Sequence, residues 1–297
     1  MLFFLFLFQK KVVFLWLKIA KHYGMCSVLQ FKTQKMELYD WDNYFNELVN
    51  DNKYTFTLSE LKKHFLLPDK SLLQGLYRYK KNKKIVQIRK GFYGILVPRV
   101  AMKGQLSYVE FLDDLMKSLN KDYYVALLNA AALYGAAHQQ PQIVYVFSTP
   151  PIPRNIKASN LFFLSKSNWN QEFIVQKKTQ TGFINVSSPE LTALDLCTYI
   201  WKFGVNRVTT ILIELYEEMK PSLLKKVAKE YDNVSSLQRL GYILEKFIEN
   251  EKLINVIHSV LQTKKTYFVP LSAKKEKKGE YNHKWKIIVN MQIEPDI

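Results

Sequence analysis

Two short apolar segments joined by a lysine–glycine turn constrain the N-terminal third of this 297-residue chain more than any other feature. Residues 85–88 have the apolar and polar alternation of a short strand, and residues 92–97 form a second apolar run. Glycine adopts the positive φ that a tight hairpin turn demands, so Lys90 and Gly91 predict a turn between two antiparallel strands. The segment is therefore predicted to be a β-hairpin that ends at Pro98.

Two short helices are predicted upstream of a third helix that leads into the hairpin. The first spans residues 40–50 and carries its large apolar side chains on one face: Trp41, Tyr44, Phe45 and Leu48. Thr57 or Ser59 can cap the second helix, and Pro68 stops it.

The third predicted helix begins at Asp69 or Ser71 and has two different faces. Its apolar stripe consists of Leu72, Leu73 and Leu76. Its opposite face carries polar and basic residues three or four positions apart, namely Lys70, Gln74, Arg78 and Lys81. Three helices followed by a hairpin is the order of a winged helix-turn-helix. In that fold the third helix enters the DNA major groove and the hairpin tip lies along a phosphate backbone.

Basic residues are concentrated in this segment. The chain has a formal net charge of +17, which indicates a nucleic-acid or anionic membrane partner, or else only a generally basic surface. Between Tyr54 and Pro98 there are ten lysines and arginines but two acidic residues, so these 45 residues hold a net charge of +8. The fold pattern and the charge together predict DNA binding. A helix-turn-helix used for protein contacts, with a solvated lysine run, is the alternative.

The predicted DNA contacts are of two kinds. Basic residues at the base and the tip of the hairpin would bind phosphates, which gives affinity and salt dependence. Base preference would come from the first turns of the third helix, because Gln pairs with adenine and Arg or Lys with guanine. The predicted DNA-binding residues are Lys70, Ser71, Gln74, Arg78, Lys81, Lys83, Lys84, Arg89 and Lys90.

The first 35 residues fit no targeting pattern. Lys10 and Lys11 interrupt the apolar sequence, which is costly in a membrane span, and they follow the first apolar run instead of preceding it as in a signal peptide. We therefore expect residues 1–35 to be a non-native or disordered extension, with translation starting at Met25 or Met36. A membrane-associating N-terminus is the alternative.

The sequence changes character after Arg99. Two helices are predicted, the second rich in alanine, and then short strands at residues 143–149, 160–165, 173–178 and 182–188. Ser188 is placed to cap a further helix with Pro189 at its first position. Later segments predict helices near residues 208–219, 222–231 and 235–247, a solvated charged loop at 272–280 and a final strand within 284–297. We predict an α+β fold, with a winged helix-turn-helix at residues 36–99 and a larger mixed α/β domain at 100–297.

No motif for catalysis or metal binding stands out. Phosphate-binding loops and nucleophile elbows are absent, and the five histidines and two cysteines do not form a zinc-site motif. Adjacent Asp113 and Asp114 would point about 100° apart on a helix. Glu190 and Asp195 are five positions apart and do not share a face either. We therefore predict a protein that is not an enzyme and that has no cofactor and no metal.

Cysteine usage favours a reducing compartment. The chain has two cysteines, Cys26 and Cys197, which form no disulfide framework. The protein is therefore predicted to be cytoplasmic, with no membrane partner.

Several segments together resemble one protein family. They are FTLSELKKHF, the basic–glycine–aromatic hairpin RKGFYGILVP, AAALYGAAHQQPQIVYV, INVSSPELTALDL, LQRLGYILE and the closing KWKIIVN. Their order and spacing resemble those of the AbiEi antitoxins of type IV toxin–antitoxin systems over about residues 40–292. The upstream apolar segment departs from the family pattern.

The resemblance implies a DNA-binding antitoxin that represses its own operon. Its winged-helix domain would bind inverted repeats in double-stranded promoter DNA. Its C-terminal domain would oppose a nucleotidyltransferase-like toxin without forming a stable complex. In that domain the residues that match the recurring pattern are His138, Gln139, Gln140, Ser188, Glu190, Arg239 and Trp285.

Two other functions remain open. The first is a stand-alone winged-helix transcription factor whose C-terminal domain senses a ligand or a partner. The second is an enzyme whose C-terminal domain modifies nucleic acid or toxin. A toxin gene immediately downstream would distinguish the antitoxin from the stand-alone regulator.

Overall fold

The structure, a computed structural model, describes residues 41–65, 67–97, 106–137, 141–157 and 160–295. The chain divides into two compact units, residues 1–54 and 55–297. The predicted N-terminal extension lies outside the described residues. Within those residues, no helix combines the length and the apolar character that a membrane span requires.

The first unit contains helix α1 at residues 41–50. Trp41, Tyr44 and Phe45 are buried, as the periodicity predicts. Trp41 and Phe45 lie one turn apart, and their rings pack edge to face with centroids 5.9 Å apart.

The second unit begins with two helices and a small antiparallel sheet. Its elements are β1 (Thr55–Thr57), α2 (Leu58–His64), α3 (Asp69–Lys81), β2 (Ile85–Arg89) and β3 (Phe92–Ile95). The strands lie in the order β1–β3–β2, so the returning strand of the hairpin is central. The two predicted helices, α2 and α3, and the predicted hairpin are present. Strand β1 is not predicted by the sequence pattern.

Helix α2 begins at a reciprocal pair of hydrogen bonds. Thr57 Oγ1 accepts from the backbone N–H of Glu60 at 3.1 Å, and Glu60 Oε2 accepts from the backbone N–H of Thr57 at 2.7 Å. The pair satisfies two donors at the helix N-terminus. Of the two predicted caps, Thr57 and Ser59, the structure confirms Thr57.

The hairpin turn is as short as the sequence predicts. Arg89 pairs with Phe92, which leaves Lys90 and Gly91 as the loop. Gly91 has a φ of 78°, a conformation in which a side chain would be strained. Its carbonyl accepts from the backbone N–H of Leu58 at 2.8 Å and so links the turn to the start of α2.

A five-stranded mixed sheet follows. Its elements and the adjoining helices are α4 (Leu112–Ser118), β4 (Tyr123–Val125), α5 (Leu127–Leu133), β5 (Val144–Ser148), β6 (Leu161–Ser165), β7 (Ile174–Thr179) and β8 (Gly182–Ser187). The strand order is β6–β5–β4–β8–β7, with β4 antiparallel to β5 and parallel to β8. The sequence predicts the four longer strands but not the central β4, because three residues are too few to show a period.

A helical layer completes the core. It contains α6 (Pro189–Thr198), α7 (Ile200–Phe203), α8 (Val205–Leu215), α9 (Pro221–Glu230), α10 (Val234–Ile243), a π-helical turn (Leu244–Ile248) and α11 (Glu251–Leu261). Helix α6 is buried over residues 189–197 and contacts α5, α8, α9 and α10. It is therefore the centre of this layer. Helix α11 is not among the helices predicted from the sequence.

A second small sheet lies near the end of the described chain. It consists of β9 (Val269–Pro270), β10 (Glu280–Asn282) and β11 (Ile287–Val289), in the order β10–β11–β9. Trp285 and Ile287 belong to the same apolar core as Tyr124, so the last strand is part of the main core.

The described residues form a mixed α+β fold, as predicted. Thr55 Oγ1 donates to Asp114 Oδ2 at 2.5 Å, and the backbone N–H of Lys157 donates to the carbonyl of Ile88 at 2.8 Å. These bonds join the N-terminal small sheet to the larger region within the second unit. The predicted boundary at residues 99 and 100 falls outside the described residues and stays a prediction.

Candidate functional site

The outer face of α3 combines basic, polar and apolar side chains. Lys70 and Gln74 are exposed, and Ser71 and Arg78 are partly exposed. Arg78 Nε is buried and makes no hydrogen bond within the part of the chain that the structure describes.

The predicted apolar stripe of α3 is wrong at Leu73. The buried residues are Leu72, Gly75, Leu76 and Tyr79, which repeat at helical spacing, whereas 54% of Leu73 is exposed. Leu73 lies about 100° around the helix from Leu72 and so falls outside that stripe. It shares the outer face with Tyr77, which is 63% exposed.

The base of the hairpin presents a run of lysines. After α3 ends, Lys83 adopts a left-handed conformation with φ of 54°, and the backbone N–H of Lys84 donates to the carbonyl of Tyr79 at 3.0 Å. Lys81, Lys83 and Lys84 are exposed. The Lys84 ammonium lies 5.3 Å from the centroid of the Tyr79 ring.

The two acidic side chains of this segment, Glu60 and Asp69, contact other groups. Glu60 is engaged in the cap of α2, and Asp69 pairs with Lys62 at 2.8 Å. At the hairpin tip Lys90 is exposed and Arg89 partly exposed. Among the described residues, the exposed lysines that form no ion pair include Lys70, Lys81, Lys83 and Lys90. The structure therefore brings the predicted DNA-binding residues onto α3, the hairpin base and the hairpin tip.

Two antitoxin-domain candidates organise α6. Ser188 Oγ accepts from the backbone N–H of Leu191 at 3.2 Å and caps the helix, as predicted. Glu190 is buried, and its Oε1 accepts from the backbone N–H of Lys220 at 2.6 Å. This bond links the start of α6 to the residue before α9. The second oxygen, Glu190 Oε2, is buried with no hydrogen-bond partner among the described residues.

Arg239 and Trp285 connect α10 to the last sheet. Arg239 Nη2 donates to the carbonyl of Pro270 at 3.1 Å, and burial lowers the pKa of this guanidinium. Trp285 is fully buried, and its Nε1 donates to Glu245 Oε2 at 2.7 Å. A Cβ atom on Gly241 would lie 2.2 Å from the Trp285 ring, so glycine is required for this close approach.

The other three antitoxin-domain candidates, His138, Gln139 and Gln140, lie outside the described residues. Of the seven candidates, the described ones thus occupy a helix cap, a helix-to-helix hydrogen bond and the contact between α10 and the last sheet.

The structure contains a buried polar cluster in the same region, which was not predicted from the sequence. Asp195 is 1% exposed and accepts from the hydroxyls of Tyr124 at 3.1 Å and Tyr231 at 2.8 Å. The Lys166 ammonium donates to the Tyr124 hydroxyl at 3.0 Å and lies 3.6 Å from Asp195. Burial raises the pKa of Asp195, and the charge of Lys166 partly offsets that effect. A lone aspartate within the apolar run LTALDLC is the only sequence signal for this cluster.

A cavity of about 440 Å³ lies beside this cluster. Its lining includes Lys166, Trp169, Phe173, Glu230 and Tyr231. Because the lining mixes aromatic rings, one cation and carboxylates, the cavity suits a small polar molecule with a planar apolar part.

Comparisons with known proteins agree with this architecture. Residues 124–246 match the family model described as the AbiEi antitoxin C-terminal domain. The chain is also similar to the crystal structure of the RV2827C protein from Mycobacterium tuberculosis, with a TM-score of 0.63 and 14% sequence identity over 84% of this chain and 91% of that one. At this identity the likeness shows a shared fold. None of the curated proteins compared with the chain matches it.

The family match covers the strands and helices that surround the Asp195 cluster, from Tyr124 to the π-helical turn after α10. The predicted resemblance is thereby confirmed over residues 124–246, which are similar to the AbiEi antitoxin C-terminal domain.

Proposed function

We propose that this protein is a DNA-binding antitoxin that represses its own type IV toxin–antitoxin operon and opposes a nucleotidyltransferase-like toxin. The AbiEi domain supports an antitoxin role. The observation that supports the DNA-binding part is the exposed basic surface formed by α3, the hairpin base and the hairpin tip.

The order of elements supports a winged helix-turn-helix. Helices α2 and α3 are followed by a hairpin whose returning strand pairs with β1. In such a module α3 would enter the major groove of the inverted repeats, and the hairpin tip would lie along the backbone. Exposed Leu73 on the same face as Gln74 adds an apolar contact suited to a thymine methyl group.

Replacing both Arg89 and Lys90 by alanine should weaken binding to every DNA sequence. A plot of log affinity against log salt concentration should become less steep by about 0.9 for each phosphate that is no longer neutralised. The loss of two such phosphate contacts should weaken binding on the order of tenfold. Fluorescence anisotropy with promoter and scrambled duplexes at several salt concentrations measures both quantities. The matched control replaces Arg207 and Lys225, two exposed basic residues elsewhere, by alanine. An unchanged salt slope in the hairpin variant would remove the tip from the interface.

Replacing Gln74 by alanine should change base preference instead. A bidentate contact to adenine contributes about 1–3 kcal/mol of discrimination and carries no charge. Binding to a panel of single-base promoter variants should therefore lose selectivity at one position while the salt slope stays the same. Equal weakening on all duplexes would contradict the placement of Gln74 against a base.

The antitoxin part of the proposal is tested in cells that express the toxin encoded beside this gene. Expression of the full chain should restore growth, and affinity purification should recover no stable complex of the two proteins. His138→Ala and Glu190→Gln variants test for catalysis. Unchanged neutralisation by both variants supports a protein that is not an enzyme, whereas loss of neutralisation with an intact fold supports the enzymatic alternative.

A stand-alone regulator with a ligand-sensing C-terminal domain is the second candidate. The cavity lined by Lys166 and Trp169 is the observation that favours it. The absence of a toxin gene beside this one, together with a small molecule that alters promoter binding, would support the regulator over the antitoxin.

A further inference from the structure

The small sheet β10–β11–β9 has one face in the core and one face outside it. Trp285 and Ile287 are fully buried in the main core. Side chains alternate between the two faces of a strand, so Tyr281, which pairs with Ile288, lies on the face opposite Ile287. We call this side of the sheet its outer face.

Three aromatic rings cluster on that outer face. The Phe268 ring lies 5.0 Å from the Tyr281 ring and 5.5 Å from the His283 ring, measured between centroids. Tyr281 is 51% exposed, and His283 is also exposed. We call Phe268, Tyr281 and His283 the aromatic face. The Lys286 ammonium lies 5.1 Å from the Phe268 ring and places a cation against it.

A strongly basic segment surrounds the aromatic face. Residues 264–286 contain eight lysines and two glutamates, a net charge of +6. The connection from β9 to β10 exposes four of these lysines: Lys274, Lys275, Lys277 and Lys278. Glu276 pairs with Lys278 at 3.0 Å, but both side chains are mostly exposed, so the pair offsets little of the charge. The segment therefore attracts a polyanion.

We propose that the aromatic face and the lysines of this segment bind single-stranded nucleic acid. Unstacked bases stack on exposed aromatic rings, while lysines contact the phosphates that connect the bases. A duplex keeps its bases paired and stacked and offers only its backbone to such a surface. An acidic protein would satisfy the lysines but would not require the ring of Tyr281. The juxtaposition of rings and lysines thus favours a single strand. This surface is distinct from α3 and the hairpin, and the proposal does not depend on promoter binding.

The test measures binding of the full chain to labelled 15-nucleotide oligouridine, oligothymidine and a 15-base-pair duplex of unrelated sequence. Tyr281→Ala should weaken binding of the single strands by about tenfold, since each base stacked on an aromatic ring contributes a factor of this order. Tyr281→Phe keeps the ring and should bind as the unchanged protein does. The matched control is Phe183→Ala, because Phe183 is 52% exposed and lies on β8 of the five-stranded sheet.

A second variant tests the charges. Changing Lys274, Lys275 and Lys277 to glutamine should lower the salt slope for single strands by about 0.7 for each phosphate that the variant no longer binds. The variant with alanine at Arg89 and Lys90 should keep single-strand binding, and Tyr281→Ala should keep promoter binding. These two variants separate a failure of this proposal from a failure of DNA binding by α3 and the hairpin.

Three outcomes would overturn the proposal. One is single-strand binding that Tyr281→Ala leaves unchanged, which would mean general electrostatic attraction. Another is the same loss of affinity from Phe183→Ala as from Tyr281→Ala. The third is a duplex bound as tightly as the single strands with the same dependence on Tyr281. Tighter binding of oligouridine than of the duplex supports the proposal and indicates RNA as the partner. Tighter binding of oligothymidine supports it equally and indicates single-stranded DNA.

Discussion

Replacing Trp285 by alanine is expected to lower the free energy of unfolding by about 3–5 kcal/mol, the range for removing a large buried aromatic side chain. Trp285 is fully buried, and its ring fills the space that Gly241 leaves open on α10. The change also leaves Glu245 without the indole hydrogen bond. Urea denaturation followed by circular dichroism measures the decrease in stability.

Trp201→Ala is the matched control, because it removes the same side chain from a position that is 50% exposed. Its effect should stay within about 1 kcal/mol, since substitutions at exposed positions rarely cost more. A cost of Trp285→Ala as small as about 1 kcal/mol, the value expected for Trp201→Ala, would contradict a place for the last sheet in the core.

Replacing Lys166 by methionine is expected to destabilise the protein by about 3 kcal/mol near neutral pH. Removing one partner of a buried ion pair leaves the other charge without compensation, and this is costly. Asp195 would keep the hydrogen bonds from Tyr124 and Tyr231 but lose the only ammonium within 4 Å among the described residues. Methionine preserves most of the side-chain volume, so the measured destabilisation reports mainly on charge.

The cost of Lys166→Met should increase with pH. Burial raises the pKa of Asp195 above its ordinary value of 3.8, while Lys166 and the two tyrosine hydroxyls lower it, so removing Lys166 raises it further. An acid with a higher pKa in the folded chain favours folding while protonated. That contribution is fully present below pH 3.8 and is lost as the pH rises through the folded pKa.

Unfolding free energies at about pH 5 and pH 8 test this sign. Adding Asp195→Asn to Lys166→Met should recover part of the stability, because the double variant buries no charge at this position. A pH-independent cost, or strictly additive effects of the two changes, would mean that Lys166 and Asp195 are not coupled.

Local signals in the sequence were sufficient to predict the hairpin turn and the starts of capped helices. Lys90 and Gly91 predict the hairpin because a two-residue turn leaves little choice of residue type. Ser188 and Pro189 predict the start of α6 for a similar reason. In both cases the determining interactions lie within a few residues of one another.

Features that depend on distant residues were not predictable. Strand β4 is central, yet its three residues show no period, and its neighbours β5 and β8 are what define it. Leu73 is as apolar as a core residue, but α3 buries the face that carries Leu72, Leu76 and Tyr79 and leaves Leu73 exposed. Asp195 meets Tyr124, Lys166 and Tyr231 through contacts that sequence spacing does not contain.

The long sequence separation between the hairpin and Trp285 has a consequence for synthesis. About 190 residues separate the end of β3 from the end of β11. At roughly 5–20 residues per second, a ribosome needs about 10–40 s to cover that distance. During this interval the nascent chain has its basic helix and hairpin sequence but lacks the strand that closes its main core. A stop codon before Trp285 therefore leaves the residues proposed to bind DNA on a chain whose main core lacks Trp285 and β11.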